Sequence, residues 1–316
     1  MLRRSLFLLS LLIASSAAFA QEEDLLKLLG EDEEEGPIYT NAAFKTTRVI
    51  NGHSLENTAH GVLDFKIGHR FGPVNGGANE FFGLDGATIR LGLDYGVTDR
   101  LMIGIGRSSF EKTVDGFVKY KVLRQCDSGC DMPFTLAVVA ASSINTVKQS
   151  DFWPYPEEER AYYFSHRMAY SFQMILGRKF SESFTMQLNP GVVHVNLVET
   201  AEDANDIIHI SGAARMKLTK RIALNGEYFY VLPGQITQPT AEEEAAGALR
   251  TRNSLSFGFD IETGGHVFQL HMTNSLPMFE RGYITETTEN WGDGGIHFGF
   301  NISRVFTVHE PKKKPI

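Results

Sequence analysis

The feature that most constrains this chain is a strict alternation of apolar and polar residues that recurs along most of its length. In the run 63–71 the odd positions are mostly apolar, whereas the even positions are Asp, Lys, Gly and Arg. The run 87–95 repeats this pattern. Because successive side chains of a β-strand point to opposite faces, a period of two predicts amphipathic strands.

The alternation predicts about twelve strands, joined by connections of alternating length. The predicted strands cover about 59–71, 85–95, 100–109, 112–124, 133–147, 161–180, 184–198, 206–218, 221–232, 252–262, 265–275 and 294–308. Short connections, such as 96–99 and 263–264, alternate with long ones, such as 233–251 and 276–293, although the tight pair Phe110-Glu111 breaks the pattern. Short turns on one side and long loops on the other are typical of outer-membrane barrels, with the short turns in the periplasm.

A soluble β-sandwich would also alternate, so three further features decide between the two folds. The predicted strands are about 10–15 residues long, which exceeds the usual five or six. The polar face is rich in small residues, and aromatic residues lie near the predicted strand ends, as in interfacial girdles. These residues include Phe71, Tyr95, Tyr120, Phe134, Tyr163, Phe180, Phe184, Tyr230 and Phe306. We therefore predict an all-β fold, an antiparallel transmembrane β-barrel of the outer-membrane type.

The N-terminus supports export. Arg3 and Arg4 precede an apolar run at 6–13, and Ala18-Phe19-Ala20 forms a small-x-small cleavage site, so residues 1–20 read as a signal peptide. The rest of the chain contains no apolar run long enough for a membrane helix. A membrane location therefore requires a closed barrel, because lipid satisfies no open backbone groups.

The predicted organisation has three parts after the signal peptide. Residues 21–58 form an acidic periplasmic tail that is either a plug or a linker, 59–308 form the barrel, and 309–316 form a basic C-terminal tail. The expected partners are outer-membrane lipid, the barrel assembly machinery and periplasmic or surface proteins. The net charge of −8 argues against nucleic acid.

The two cysteines, Cys126 and Cys130, have three residues between them. In an exported protein this pair predicts a disulfide that closes a tight turn. Covalent haem attachment is rejected, because it needs two intervening residues and a following His, whereas Asp131 follows here.

Two stretches carry a family resemblance. They are 59–71, Ala-His-Gly-Val-Leu-Asp-Phe-Lys-Ile-Gly-His-Arg-Phe, and 85–109, Asp-Gly-Ala-Thr-Ile-Arg-Leu-Gly-Leu-Asp-Tyr-Gly-Val-Thr-Asp-Arg-Leu-Met-Ile-Gly-Ile-Gly-Arg-Ser-Ser. Both resemble an uncharacterised bacterial family of membrane-bound β-barrel proteins of unknown function. The resemblance starts near Phe44 and extends through most of the barrel. It implies a fold and a location, and it brings no catalytic residues.

The inward-facing charges are the main candidates for function. The phase of the strands predicts nine basic and five acidic side chains in the lumen: Lys66, Arg70, Arg90, Lys119, Lys121, Arg167, Lys179, Arg215, Lys217, Asp64, Asp94, Asp115, Glu227 and Asp260. A basic surplus favours a narrow channel that prefers anions. The alternative, which we favour, is that the charges pair across a closed barrel.

Other candidates are weaker. His60, His194, His209, His271 and His297 fall on the lumen phase, but their scattered spacing predicts no metal site. Without a Gly-x-Ser-x-Gly elbow, we expect neither an enzyme nor a cofactor. The sequence leaves two functions open: a solute channel or small-molecule binding barrel, and a closed barrel that presents loops and a tail to partner proteins.

Overall fold

A computed structural model describes residues 36–153, 161–198 and 200–309. The predicted signal peptide, the acidic tail up to residue 35, the loop stretch 154–160 and the C-terminal residues 310–316 lie outside the described residues.

The chain divides into two compact units. In the smaller unit, β1 (Ile38–Tyr39) pairs antiparallel with β6 (Cys126–Ser128). Cys126 and Cys130 form a disulfide in this unit, with their Cα atoms 5.8 Å apart. The predicted turn disulfide is therefore present.

The larger unit, Thr40–Gln125 and Met132–Ile316, contains a closed antiparallel barrel of twelve strands. The strands are β2 (Val62–Pro73), β3 (Ala87–Gly96), β4 (Leu101–Ser108), β5 (Val114–Leu123), β7 (Thr135–Ile144), β8 (Met168–Lys179), β9 (Phe184–Val195), β10 (Asp206–Lys217), β11 (Ile222–Val231), β12 (Leu255–Thr263), β13 (His266–Thr273) and β14 (His297–Thr307). Each pairs with its neighbour along the chain, and β14 closes the barrel on β2. The predicted fold class and strand count are confirmed.

The outer face of the barrel is apolar. Its exposed residues include Ile89, Leu91, Leu93, Ile103, Ile105, Phe172, Met174, Leu188, Ile208, Phe257, Phe259, Leu270 and Phe298. Several of the predicted girdle aromatics are also exposed, among them Tyr120, Phe180, Tyr230 and Phe306. An apolar exterior of this size is stable in lipid and would aggregate in water.

The helices of the described connections are short: α1 (Gln149–Phe152), α2 (Ala241–Ala245), α3 (Glu280–Thr285) and 3-10 helices at Val74–Gly83, Phe110–Lys112, Phe164–Arg167 and Trp291–Asp293. None of the helices in the described residues is long and apolar enough to cross a membrane. The predicted strand at 161–180 was too long at its start, because a 3-10 turn at Phe164–Arg167 precedes β8.

Candidate functional site

The lumen is occupied by a β-hairpin formed by the N-terminal segment 43–58, here called the hairpin. Arg48 and His53 form an antiparallel bridge. The amide of Val49 donates to the carbonyl of Gly52 at 2.8 Å, and the amide of Ser54 donates to the carbonyl of Thr47 at 3.0 Å. Val49–Gly52 therefore forms the tip.

Both arms of the hairpin start at the short-turn end of the barrel. Lys45 Nζ lies 2.6 Å from Glu262 Oε2, beside the turn between β12 and β13. On the other arm, the side-chain amide of Asn57 donates to the carbonyl of Arg100 at 2.9 Å, in the turn between β3 and β4. The hairpin thus enters from the end that outer-membrane barrels turn to the periplasm.

The hairpin tip surrounds the carboxylate of Glu227, an inward-facing residue of β11. The backbone amides of Ile50, Asn51 and Gly52 donate to this carboxylate at 3.3, 2.7 and 3.1 Å. Successive amides that converge in this way form an anion-binding nest. Glu227 therefore provides the acceptor for three backbone amides that are buried away from water.

Gly52 permits this close approach. A Cβ atom at Gly52 would lie 2.8 Å from Cζ of Phe229 and 3.4 Å from Oε2 of Glu227. The tip therefore has no room for a side chain at this position.

One side of the hairpin faces a polar patch on β12, β13, β14 and β2. Gln269 donates to the carbonyl of Val49 at 2.7 Å, and Asn301 donates to the carbonyl of Ile50 at 3.0 Å. The side chain of Asn51 donates to Ser256 Oγ at 3.1 Å and accepts from Arg70 Nη2 at 2.8 Å. We define the polar patch as Ser256, Gln269, Asn301 and Arg70.

The other side of the hairpin faces an apolar patch on β4, β5, β7 and β8. Ala43, Phe44, Val49 and Leu55 of the hairpin belong to one buried apolar cluster with inward-facing barrel residues. We define the apolar patch as Met102, Phe117, Ala137, Val139, Ala141 and Ile175, and Ala213 of β10 also belongs to the cluster. This patch was not predicted, although its signal is visible in β7, where the run Leu136–Ala141 is apolar on both faces.

A second insert enters the lumen from the long-loop side. The loop between β13 and β14 folds inward, and Phe279, Tyr283 and Ile284 are almost fully buried. Tyr283 and Ile284 join a buried cluster that includes inward-facing Phe229, whose ring centroid lies 4.9 Å from that of Tyr283. The loop does not merely cover the barrel mouth, because part of it fills the interior.

The two inserts meet at Glu280. Its Oε1 atom lies 2.7 Å from Nη1 of Arg48 and 3.1 Å from Nε2 of His53, both on the hairpin. All three side chains are buried, and the Phe117 ring of the apolar patch packs against both hairpin residues. A charge pair shielded in this way is strongly destabilised when one partner is removed.

Of the fourteen predicted lumen charges, the structure buries eleven, and Lys121, Lys179 and Lys217 are partly exposed. The buried ones are Asp64, Lys66, Arg70, Arg90, Asp94, Asp115, Lys119, Arg167, Arg215, Glu227 and Asp260. Several pair with each other. Arg90 Nε donates to Asp115 Oδ1 at 2.9 Å, and Lys66 Nζ lies 3.3 Å from Asp64 and 3.5 Å from Asp94. Lys119 instead donates to the carbonyl of Ser54 on the hairpin at 2.6 Å.

Two predicted lumen residues occupy the rim instead. Arg167 lies in the 3-10 turn before β8, where it donates to the carbonyls of Asn145 and Val147 at 3.0 and 2.7 Å. His194, also predicted on the lumen phase, lies 2.8 Å from Asp206 and is partly exposed. Arg167 precedes the first residue of β8, and His194 lies in β9 on the same phase as Met186 and Leu188, which are exposed on the outer face.

The remaining lumen histidines, His209, His271 and His297, are buried. Within the described ranges, no three His, Cys, Asp or Glu side chains are grouped so that they could hold a metal ion. His60 lies outside the strands, where it forms a bridge with Gly96.

A cleft of about 510 Å³ opens beside the hairpin at the short-turn end. Phe44, Lys45 and Glu56 of the hairpin line it on one side, and Asp64 and His266 of the barrel line it on the other. The cleft has the volume of a small-molecule site, but its walls carry charges of both signs.

Asp203 connects two of the long loops, the one between β9 and β10 and the one between β11 and β12. Its carboxylate accepts from the backbone amides of Thr237 and Thr200 at 2.6 and 2.9 Å. Partial burial raises the pKa of Asp203, but these hydrogen bonds outweigh burial and leave the pKa below its usual value.

The sequence contains one local signal for the turn of the hairpin. Asn51-Gly52 is a dipeptide favoured in hairpin turns. The contact from Asn51 to Glu227 nevertheless spans 176 residues along the chain, and no local pattern predicts such a contact.

The apolar exterior, the closed twelve-stranded sheet and the polar side chains of its interior define an outer-membrane β-barrel protein. The model of the family described as "Membrane bound beta barrel domain (DUF5777)" matches residues 44–306, and the chain belongs to this family. The expectation from the resemblance is therefore confirmed. The match begins at Phe44, so the hairpin is part of the family domain.

The comparison with curated proteins found no match. Among solved structures, the chain is similar to the NanC porin, with 9% identity, coverage of 77% of this chain and 98% of that one, and a TM-score of 0.46. An outer membrane channel from Pseudomonas putida F1 has 12% identity, coverage of 80% and 98%, and a TM-score of 0.43. Omp33 of Acinetobacter baumannii has 5% identity, coverage of 77% and 97%, and a TM-score of 0.37. These values are too low to carry an argument about function.

Proposed function

We propose that this protein is a solute channel of the outer membrane that is closed at rest by its own hairpin. The observation that carries the proposal is that the hairpin fills the lumen while barrel side chains hold much of its backbone by hydrogen bonds. Each such bond contributes only about 0.5–1.5 kcal/mol net, because water can replace either partner. When the hairpin is absent, water can therefore form hydrogen bonds with the side chains of the polar patch.

The lining also suggests which solutes would pass. Lys66, Arg70, Arg90 and Lys119 face the space that the hairpin occupies. Without the hairpin, Arg70 and Lys119 would lose hydrogen-bond partners and face water. Rings of basic side chains favour anions, so the open channel would prefer small anionic solutes.

A second candidate function is a closed barrel that presents its loops and N-terminal tail to partner proteins. The observation in its favour is the apolar character of the two buried clusters, one at the apolar patch and one around Tyr283. Apolar contacts of this kind are typical of a permanent core, because opening them exposes apolar surface to water.

Single-channel conductance in a planar bilayer separates the two functions. We expect the refolded mature chain, 21–316, to be silent and a deletion of 21–58 to conduct with anion preference. The matched control deletes only 21–42, which leaves the hairpin in place, and we expect it to be silent.

Silence of the 21–58 deletion, in protein shown to be folded by circular dichroism, would reject the channel and favour the closed barrel. Equal conductance of all three proteins would show that the hairpin does not close the lumen. Cation preference would reject the role of the basic lining.

A further inference from the structure

A small cavity of about 40 Å³ lies between the hairpin and the barrel wall formed by β2, β13 and β14. Four cationic side chains line it, and no carboxylate does: Arg48, Lys66, Arg70 and Arg90. The other polar lining residues are hydroxyls and amides, namely Thr46, Asn51, Gln269, Asn301 and Ser303.

Three of the four cations pair with carboxylates that do not line the cavity. Arg48 pairs with Glu280, Lys66 contacts two aspartates, and Arg90 pairs with Asp115. Arg70 differs, because in the described part of the chain no carboxylate oxygen lies within 4.0 Å of it.

The hydrogen bonds of Arg70 go only to neutral oxygens. It donates to the carbonyl of His69 at 3.1 Å, to Asn301 Oδ1 at 3.2 Å and to Asn51 Oδ1 at 2.8 Å. The carboxylate of Glu227 is close enough to act on Arg70 electrostatically, but it accepts from the three tip amides. A guanidinium that is 1% exposed therefore has no paired carboxylate among the described residues.

Two donors of the cavity-lining arginines are left over. Nε of Arg70 and Nη2 of Arg48 are buried and have no hydrogen-bond partner among the described residues. Buried donors are nearly always satisfied, and each exception calls for an explanation such as a bound ion or water. A bound anion would satisfy the donors and the charge together, whereas water satisfies only the donors.

We propose that this cavity binds one small inorganic anion of the halide class, such as chloride, with Arg70 as its principal ligand. A water molecule needs about 10–15 Å³ of such space, so the cavity is large enough for a monatomic anion. Because Thr46, Arg48, Ile50 and Asn51 of the hairpin line the cavity, the site requires the seated hairpin. It does not require release of the hairpin, and it therefore does not depend on the proposed channel. Because Arg70 also binds Asn51, the anion would lie where the hairpin tip meets the wall.

The test is an anomalous difference map of the refolded full chain crystallised in sodium bromide. We expect a bromide peak at hydrogen-bonding distance from Arg70 Nε in the wild type. The peak should be lost in Arg70→Gln and retained in Arg215→Gln, a buried lumen arginine that does not line the cavity.

Ordered water without an anomalous peak in the wild-type cavity would overturn the proposal, as would a peak that persists in Arg70→Gln. The wild-type map decides the question even if Arg70→Gln fails to fold.

Discussion

The two patches that hold the hairpin lie on roughly opposite sides of the barrel and use different physical interactions. The apolar patch buries hydrophobic side chains of the hairpin, and its contribution comes from apolar surface removed from water. The polar patch binds backbone carbonyls and Asn51 through hydrogen bonds that water can replace. The apolar patch therefore holds the hairpin firmly, whereas the contacts of the polar patch can be exchanged for contacts with water.

This difference has a consequence for opening. Separation from the polar patch replaces protein hydrogen bonds with water hydrogen bonds, whereas separation from the apolar patch exposes residues such as Phe117 and Ile175 to water. Release of the hairpin should therefore begin at the polar patch, and the loss of the apolar-patch contacts should limit its rate.

The largest effect is expected at Phe117 of the apolar patch. Phe117→Ala should lower the free energy of hairpin seating by about 3–5 kcal/mol, as for other large-to-small core substitutions. The hairpin is then released more often, and its release exposes Arg48 to trypsin. The measurement is the rate of appearance of the fragment that ends at Arg48, which tracks the open population when opening is fast.

The matched control for Phe117 is Phe172→Ala on β8, because Phe172 is 53% exposed on the outer face. It removes the same ring without touching the hairpin, and its trypsin rate should equal that of the wild type. Equal acceleration in both variants would mean that general destabilisation, and not the apolar patch, controls release.

An intermediate effect is expected at Glu227, which binds the tip between the two patches. In Glu227→Gln the amide presents one oxygen and a donor group to three backbone N–H groups, so at least one bond is lost. We expect a loss of about 2–3 kcal/mol, because hydrogen bonds to a charged group are the stronger ones.

The same trypsin assay measures this change, and Asp206→Asn is its control, because Asp206 is an exposed acid that pairs with His194 at the rim. A wild-type rate in Glu227→Gln would show that the tip does not hold the hairpin.

Much of the fold could be predicted from the sequence, because lipid outside and polar side chains inside impose a period of two on each strand. Most of the lumen charges followed from the same phase. The hairpin site could not be predicted, because a plug and a linker need the same local sequence and differ only in long-range contacts such as Arg48 to Glu280. The loss of alternation in β7 was the local trace of those contacts, since that strand meets lipid on one face and the hairpin cluster on the other.

The smallest effect is expected at Gln269 of the polar patch. Gln269→Ala removes the bond to the carbonyl of Val49 and leaves that carbonyl and Asp260 to find water. If the polar patch is as exchangeable as its chemistry indicates, seating should weaken by only about 1 kcal/mol. Gln238→Ala in an exposed loop is the control and should not change the trypsin rate. A Gln269→Ala effect as large as that of Phe117→Ala would contradict the proposed difference between the patches, because both would then hold the hairpin with equal strength and release would have no preferred starting side.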